Sequence, residues 1–227
     1  MPLHSWHNLS ADGRVRGLKY SFGPGTANTM AARLPDDSWL VISPSTQSPP
    51  EALEALGGTV SALIAPNGFH HMGQEAWRKR FPEAKSYAPA TAIARLAKKS
   101  PGVPYSPLAE LVLPPGIRIL EPEGMKSPDL FLAATSGADT VWFTGDLLSN
   151  TTPEDLSAIP RFIFGLFGGN AGYRLNGVPA MVYLKDKTAF KASVKAAIEA
   201  QPATVVYPAH GDAVTADVMG QTRAILS

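Results

Sequence analysis

The chain of 227 residues sets Lys+Arg 20 against Asp+Glu 19, a formal net charge of +1, so no global field draws it to nucleic acid or to a membrane surface. It has no cysteine, which excludes disulfides, thiolate ligands and a thiol nucleophile; any metal must be held by His, Asp, Glu or Asn. The length fits one domain over residues 1–227 with a covered core, and the expected partner is a small molecule or another protein.

The N-terminus, Met1-Pro-Leu-His-Ser-Trp-His, lacks a basic segment followed by an apolar core, and no apolar run approaches the roughly 18 residues of a membrane span. A cytoplasmic location is the expectation, with His4 and His7 in a mobile terminus and without a role. Residues 18–22, 29–34 and 39–43 read as strands separated by Gly23-Pro-Gly and Pro35-Asp-Asp-Ser, an opening antiparallel meander. Proline at the start and glycine after the end mark 49–58 as a short helix, and 59–65 is then an interior strand. A helix is predicted over 70–81, with Trp77 and Phe81 on one face and Arg78, Lys79 and Arg80 in solvent.

Residues 86–88 form a small strand, and 91–99 a helix that Ser100-Pro-Gly ends. Pro101, Pro104, Pro107, Pro114 and Pro115 make the next segment a rigid connection. Strands at 117–120, 129–134 and 140–144 build a second sheet, the last two joined by the turn Ser136-Gly-Ala-Asp. Helices are predicted at 154–159 and 187–200, the latter presenting Phe190, Val194, Ala197 and Ile198 on one stripe. A strand at 203–207 and a helix at 215–226 close the chain. This order predicts two sheets packed together with helices outside.

Ligands of layered α/β folds gather at the carboxyl ends of strands. Three loops there carry metal-competent side chains: Ala65-Pro-Asn-Gly-Phe-His-His-Met-Gly with His70 and His71, Thr144-Gly-Asp with Asp146, and Pro208-Ala-His-Gly-Asp with His210. Imidazole and carboxylate are what a zinc-like ion takes when sulfur is absent. Each loop also has a plainer reading, the Asp as a turn or cap residue and the His as a core side chain beside a glycine. The loops lie far apart in the chain, so only tertiary folding unites them.

The order of these loops resembles the metallo-β-lactamase fold superfamily, over roughly residues 17 to 215. The resemblance implies a four-layer αβ/βα sandwich of two mixed β-sheets with helices on the outer faces. In that pattern a strand ends in His-x-His-x-Asp-His, a Thr-Gly-Asp-like turn gives a bridging carboxylate, and a Gly-His-Gly-like turn gives the last histidine. Laid on this chain it puts His71 at the second-site histidine, His70 at the preceding aspartate, Asp146 at the bridging carboxylate and His210 at the last histidine. Asn28 stands where many members carry Asn at the start of the second strand. Pro66, Gly68 and Met125 replace the three histidines of the first sub-site, so the chain resembles a divergent branch that keeps the second sub-site alone.

The resemblance implies one divalent metal ion, zinc by preference and manganese or iron as alternatives, on His70, His71, Asp146 and His210. Successive residues of a helix point about 100° apart, so both imidazoles face one centre only through a non-helical turn, which Gly68 permits. A His71, Asp146 and His210 set leaves a position for water, and His70 is then the proton acceptor, so His70 and Asp146 are the catalytic candidates. Glu75 and Asp212 are candidates to orient an imidazole. The expected activity is hydrolysis of an ester, lactone, thioester or phosphoester; the alternative is a catalytically inactive binding or scaffold protein. The apolar stretch containing Phe162 and Phe167 is a candidate pocket wall or homodimer contact, and Met72, Tyr173 and Arg174 candidate rim residues.

Overall fold

The computed structural model describes residues 2–23, 25–152, 155 and 171–227. Apart from Asp155, the expected helix at 154–159 lies outside the described residues, as does the stretch containing Phe162 and Phe167. No helix among the described residues is long and apolar enough to cross a membrane.

The first half of the chain builds a seven-stranded sheet in sequential order: β1 (Trp6–Asn8), β2 (Val15–Ser21), β3 (Thr26–Arg33), β4 (Trp39–Ile42), β5 (Val60–Ile64), β6 (Lys85–Ala88) and β7 (Tyr105–Pro107). β1 to β4 pair antiparallel through short turns, and β4 to β7 pair parallel because helices now cross between them. Those helices are α1 (Pro50–Glu54), α2 (Gln74–Arg80) and α3 (Ala90–Lys99). The second sheet has the order β13, β10, β9, β8, from β8 (Ile117–Leu120), β9 (Phe131–Ser136), β10 (Asp139–Phe143) and β13 (Val205–Tyr207). β11 (Leu148–Thr151) and β12 (Gly172–Leu175) form a separate ribbon, followed by α4 (Gly177–Tyr183), α5 (Lys187–Ala200) and α6 (Val218–Leu226).

Period-two alternation explains the layers. Met30, Leu40, Ile42, Ala62 and Ile64 of the first sheet and Leu132, Ala134, Val141 and Phe143 of the second point inward and share one core. Their neighbours Ala31, Val41 and Leu63 point outward beneath Leu53 of α1 and Trp77 of α2. Phe131, Ala133 and Trp142 point outward beneath Phe190, Val194, Ala197 and Ile198, the stripe of α5 read from the sequence. The result is a helix, sheet, sheet, helix sandwich.

Three expectations change. The N-terminus is an edge strand: His7 pairs with Gly17, and His4 Nδ1 lies 3.0 Å from Ser48 Oγ. The helix expected from residue 70 begins only at Gln74, because Asn67 Oδ1 accepts the N–H groups of Phe69 and His70 and holds the chain in a turn. The proline-rich connection contributes β7, which pairs with β6.

Candidate metal centre

Four strand ends on one edge of the sandwich supply the site. β4 runs into Ser43, β5 into Asn67 and His70, β10 into Asp146, and β13 into His210. Parallel pairing of β10 with β13 brings the last two loops together, where the Ala209 N–H donates to the Gly145 carbonyl at 3.0 Å. The Leu130 N–H donates to the Pro66 carbonyl at 2.9 Å, tying the first sheet's loop to the second sheet.

His70, Asp146 and His210 converge, their ligand atoms all within 4.8 Å of one another. His70 Nε2 lies 2.9 Å and His210 Nε2 3.2 Å from the same oxygen, Asp146 Oδ1. His210 Nδ1 donates to the Thr26 carbonyl at 2.8 Å, and His70 Nδ1 pairs with Ser43 Oγ at 2.8 Å. These contacts set the rings with Nε2 toward the centre, as outer partners of ligating histidines do. Ser43 takes a φ of 56°, a left-handed conformation uncommon for serine, and its own carbonyl accepts from Thr29 Oγ1 at 2.7 Å.

The other Asp146 oxygen, Oδ2, accepts from Asn67 Nδ2 at 3.1 Å and from the Tyr183 hydroxyl at 2.8 Å. Asn67 Nδ2 also donates to Asp129 Oδ1 at 2.9 Å, and Asp129 Oδ2 accepts the backbone N–H groups of Asp146 and Leu147. Burial opposes ionisation of Asp146, yet the charges and N–H groups of His70 and His210 hold its carboxyl well below the usual carboxylate range. Burial lowers His210, but the adjoining Asp146 carboxylate outweighs it and raises this imidazole. Burial and the neighbouring Asp146 charge push Asp129 up. Burial and Asp146 likewise push Tyr183 far up, so it remains a donor.

His71 does not join the group. Its Nδ1 lies 3.0 Å from Ser100 Oγ, and burial followed by the charges of Lys99 and Arg95 lowers its pKa. With no helix until Gln74, the turn sends the adjacent imidazoles to different neighbours, so of the pair His70 meets Asp146 and His210 and His71 meets Ser100. Glu75 is exposed, and Asp212 pairs with Lys19 at 3.1 Å, so neither orients an imidazole. Where the pattern expects further histidines, Gly68 lies under Arg95, Pro66 spends its carbonyl on Leu130, and Met125 bridges to Leu184. Ser43, Asn67 and Tyr183 escaped sequence reasoning. Asn67 alone had a local signal, an Asn-Gly pair at a strand end.

The cluster forms the floor of a cleft of about 620 Å³. Its walls are largely apolar, including Phe22, Phe69, Met72, Val178 and Val182, with His71, Arg95 and Lys99 on one side. Tyr173 and Arg174, expected at the rim, sit on β12 and do not line it.

The structure resembles solved structures of one fold. It superposes on a metallo-β-lactamase from Hirschia baltica with a TM-score of 0.61 at 14% identity, covering 98% of this chain and 98% of that one. A metallo-β-lactamase from Pontibacter korlensis gives 0.62 at 14% identity, with 98% of each chain covered. A metal-soaked flavodiiron core, Flv1 from Synechocystis sp. PCC6803, gives 0.60 at 14% identity over 99% of this chain and 60% of that one. No protein-family model and no curated protein matches the chain. The chain has the metallo-β-lactamase fold.

Proposed function

We propose that the protein is a hydrolase of ester, lactone, thioester or phosphoester bonds that works with one divalent metal ion on His70, Asp146 and His210. The observation that carries this reading is the tautomer Thr26 imposes on His210. With Nδ1–H given to a carbonyl, a neutral His210 presents its Nε2 lone pair to Asp146 Oδ1 at 3.2 Å, and a cation between them, or a proton on Nε2, reconciles the two. Two imidazoles and one carboxylate suit zinc, and three protein ligands leave a position open for catalysis.

A divalent ion held there would supply Lewis acidity to a scissile carbonyl or phosphoryl oxygen and would acidify a water. The protein's part is positional. Ser43 and Thr26 fix the imidazoles, Asn67 and Tyr183 hold Oδ2 so that Oδ1 faces the cleft, and the apolar walls offer a surface for the body of a substrate. His71, held neutral near physiological pH, lines the same cleft and is the proton acceptor beside the floor.

A second reading has its own observation. Each Asp146 oxygen has two donor-capable groups at hydrogen-bond distance, so a protonated His210 can also be the reconciling cation in a metal-free binding protein of this fold. Metal analysis after metal-replete expression separates the two, alongside a panel of chromogenic esters, lactones and phosphoesters. The hydrolase reading expects about one ion per chain in the native protein, lost together with turnover in Asp146→Asn and His210→Ala. A native protein that retains no ion supports the binding-protein reading. Bound metal with no turnover on any substrate leaves the centre standing and removes hydrolysis.

A further inference from the structure

The cleft carries two features that the metal centre does not require. Arg95 and Lys99 are four residues apart on α3, hence on one face of the helix, and both line the cleft. Among the described residues neither has a carboxylate within ion-pair distance. Arg95 is nevertheless fixed: its Nε donates to the Gly68 carbonyl at 3.2 Å and its guanidinium carbon stands 4.3 Å from the centre of the Phe69 ring. Gly68 makes this possible, since a Cβ there would lie 2.7 Å from Arg95 Cδ. The two terminal NH₂ groups of Arg95 have no protein acceptor among the described residues, which leaves a planar fork free for an anion.

The second feature is apolar. Phe69, Met72 and Val182 are 43%, 53% and 43% exposed, and all three line this cleft. Large apolar side chains held open to solvent around one concave surface mark a ligand wall more often than chance exposure does.

We infer that the cleft selects amphipathic anions: an apolar body packs among Phe69, Met72 and Val182 while a terminal carboxylate or phosphate is held by Arg95 and Lys99. As a substrate class this rests on the hydrolase reading; as a binding preference it does not. Neutral and cationic molecules of the same length leave the guanidinium fork unpaired and bind more weakly.

The test measures binding by isothermal titration calorimetry of octanoate, octyl phosphate and octyltrimethylammonium to the native protein, to Arg95→Gln/Lys99→Gln and to His210→Ala. Both octyl anions are expected to bind the native protein about tenfold more tightly than the cation, as two partly desolvated charge contacts supply. That margin falls to within about twofold in the double variant and persists in His210→Ala. Lys99→Glu, an exposed change in the last turn of α3, provides a second variant that keeps the fold and is expected to reduce the margin by itself. The tighter of the two anions identifies the head group. A margin unchanged in the double variant and in Lys99→Glu overturns the inference. So does a margin that vanishes in His210→Ala while surviving in the double variant, because the anion then sits on the floor of the cleft. Failure of the hydrolase reading leaves a different trace, no bound metal and no turnover with the anion margin intact.

Discussion

Asn28 and Gly211 meet at 2.6 Å in the interior, where Asn28 Nδ2 donates to the Gly211 carbonyl and, at 2.8 Å, to the Pro208 carbonyl. The Asn28 backbone N–H donates to the Ala209 carbonyl at 2.8 Å. One residue of β3 thus fixes the carbonyls on both sides of His210, while Thr26, two residues earlier, takes the His210 Nδ1–H. His210 is aimed by the first sheet although it belongs to the second.

Asn28→Ala therefore strands two buried carbonyls at once. Leaving a buried acceptor unpaired costs about 1–3 kcal/mol, so the variant should lose about 3 kcal/mol in urea unfolding. Its metal affinity should fall about tenfold or more by competition with a chelator. Asn28→Asp should be no milder, since a carboxylate has no N–H to donate. Stability equal to that of the native chain would mean that the loop is held by other contacts.

Gly211 has a second reason to be glycine. Its φ is 96°, and a Cβ there would lie 1.9 Å from the Asn150 carbonyl oxygen, a backbone atom that cannot swing aside. Gly137, in the β9–β10 turn, also has positive φ, 59°, but a Cβ there meets nothing. Gly137→Ala should cost about 1–2 kcal/mol from backbone conformation alone. Gly211→Ala should cost clearly more, above about 3 kcal/mol, because clash adds to strain. Thermal melts of the pair read the difference directly.

The layers were legible because burial follows period two in strands and 3.6 in helices, as the α5 stripe of Phe190, Val194, Ala197 and Ile198 illustrates. The convergence of the Asp146 and His210 loops was legible because both follow strand ends. The choice between His70 and His71 was not, since it depends on Asn67 capping the turn and on Ser43 arriving from another strand. Tyr183 had no sequence signal, because α4 meets the site only after the chain has passed through β11 and β12. The N-terminal strand was missed for a similar reason: three residues carry little periodicity, and β1 exists through its pairing with β2.

His7 gives the fold a pH dependence of definite sign. Its ring stands edge-on to Tyr207 with centroids 5.6 Å apart, in room left by Gly17, and burial lowers its pKa below 6.5. A base whose folded-state pKa is depressed contributes stability that is present above the unfolded value and is lost as pH falls through 6.5 toward the folded value. Between about pH 7 and about pH 5 the native protein should lose more unfolding free energy than His7→Phe, which keeps the edge contact and does not titrate. Denaturant titrations at several pH values check this. Parallel losses in the two proteins would assign the acid sensitivity to other groups.

The pair His70 and His71 provides the sharpest discrimination of roles, because the two residues are adjacent and chemically identical. His70 Nε2 is 2.9 Å from Asp146 Oδ1, whereas His71 Nδ1 is engaged by Ser100 Oγ. On the proposed one-metal reading, His70→Ala removes one of three candidate ligand atoms and should weaken zinc binding by at least about a hundredfold, more than the loss of an outer partner does. His71→Ala should leave zinc content and affinity within about twofold of native while lowering turnover by about 10²-fold or more, the contribution of a positioned proton acceptor. Chelator competition and steady-state kinetics on the same two preparations measure both quantities. If His71→Ala loses the metal and His70→Ala keeps it, the turn before α2 rearranges on binding and His71 is the ligand after all.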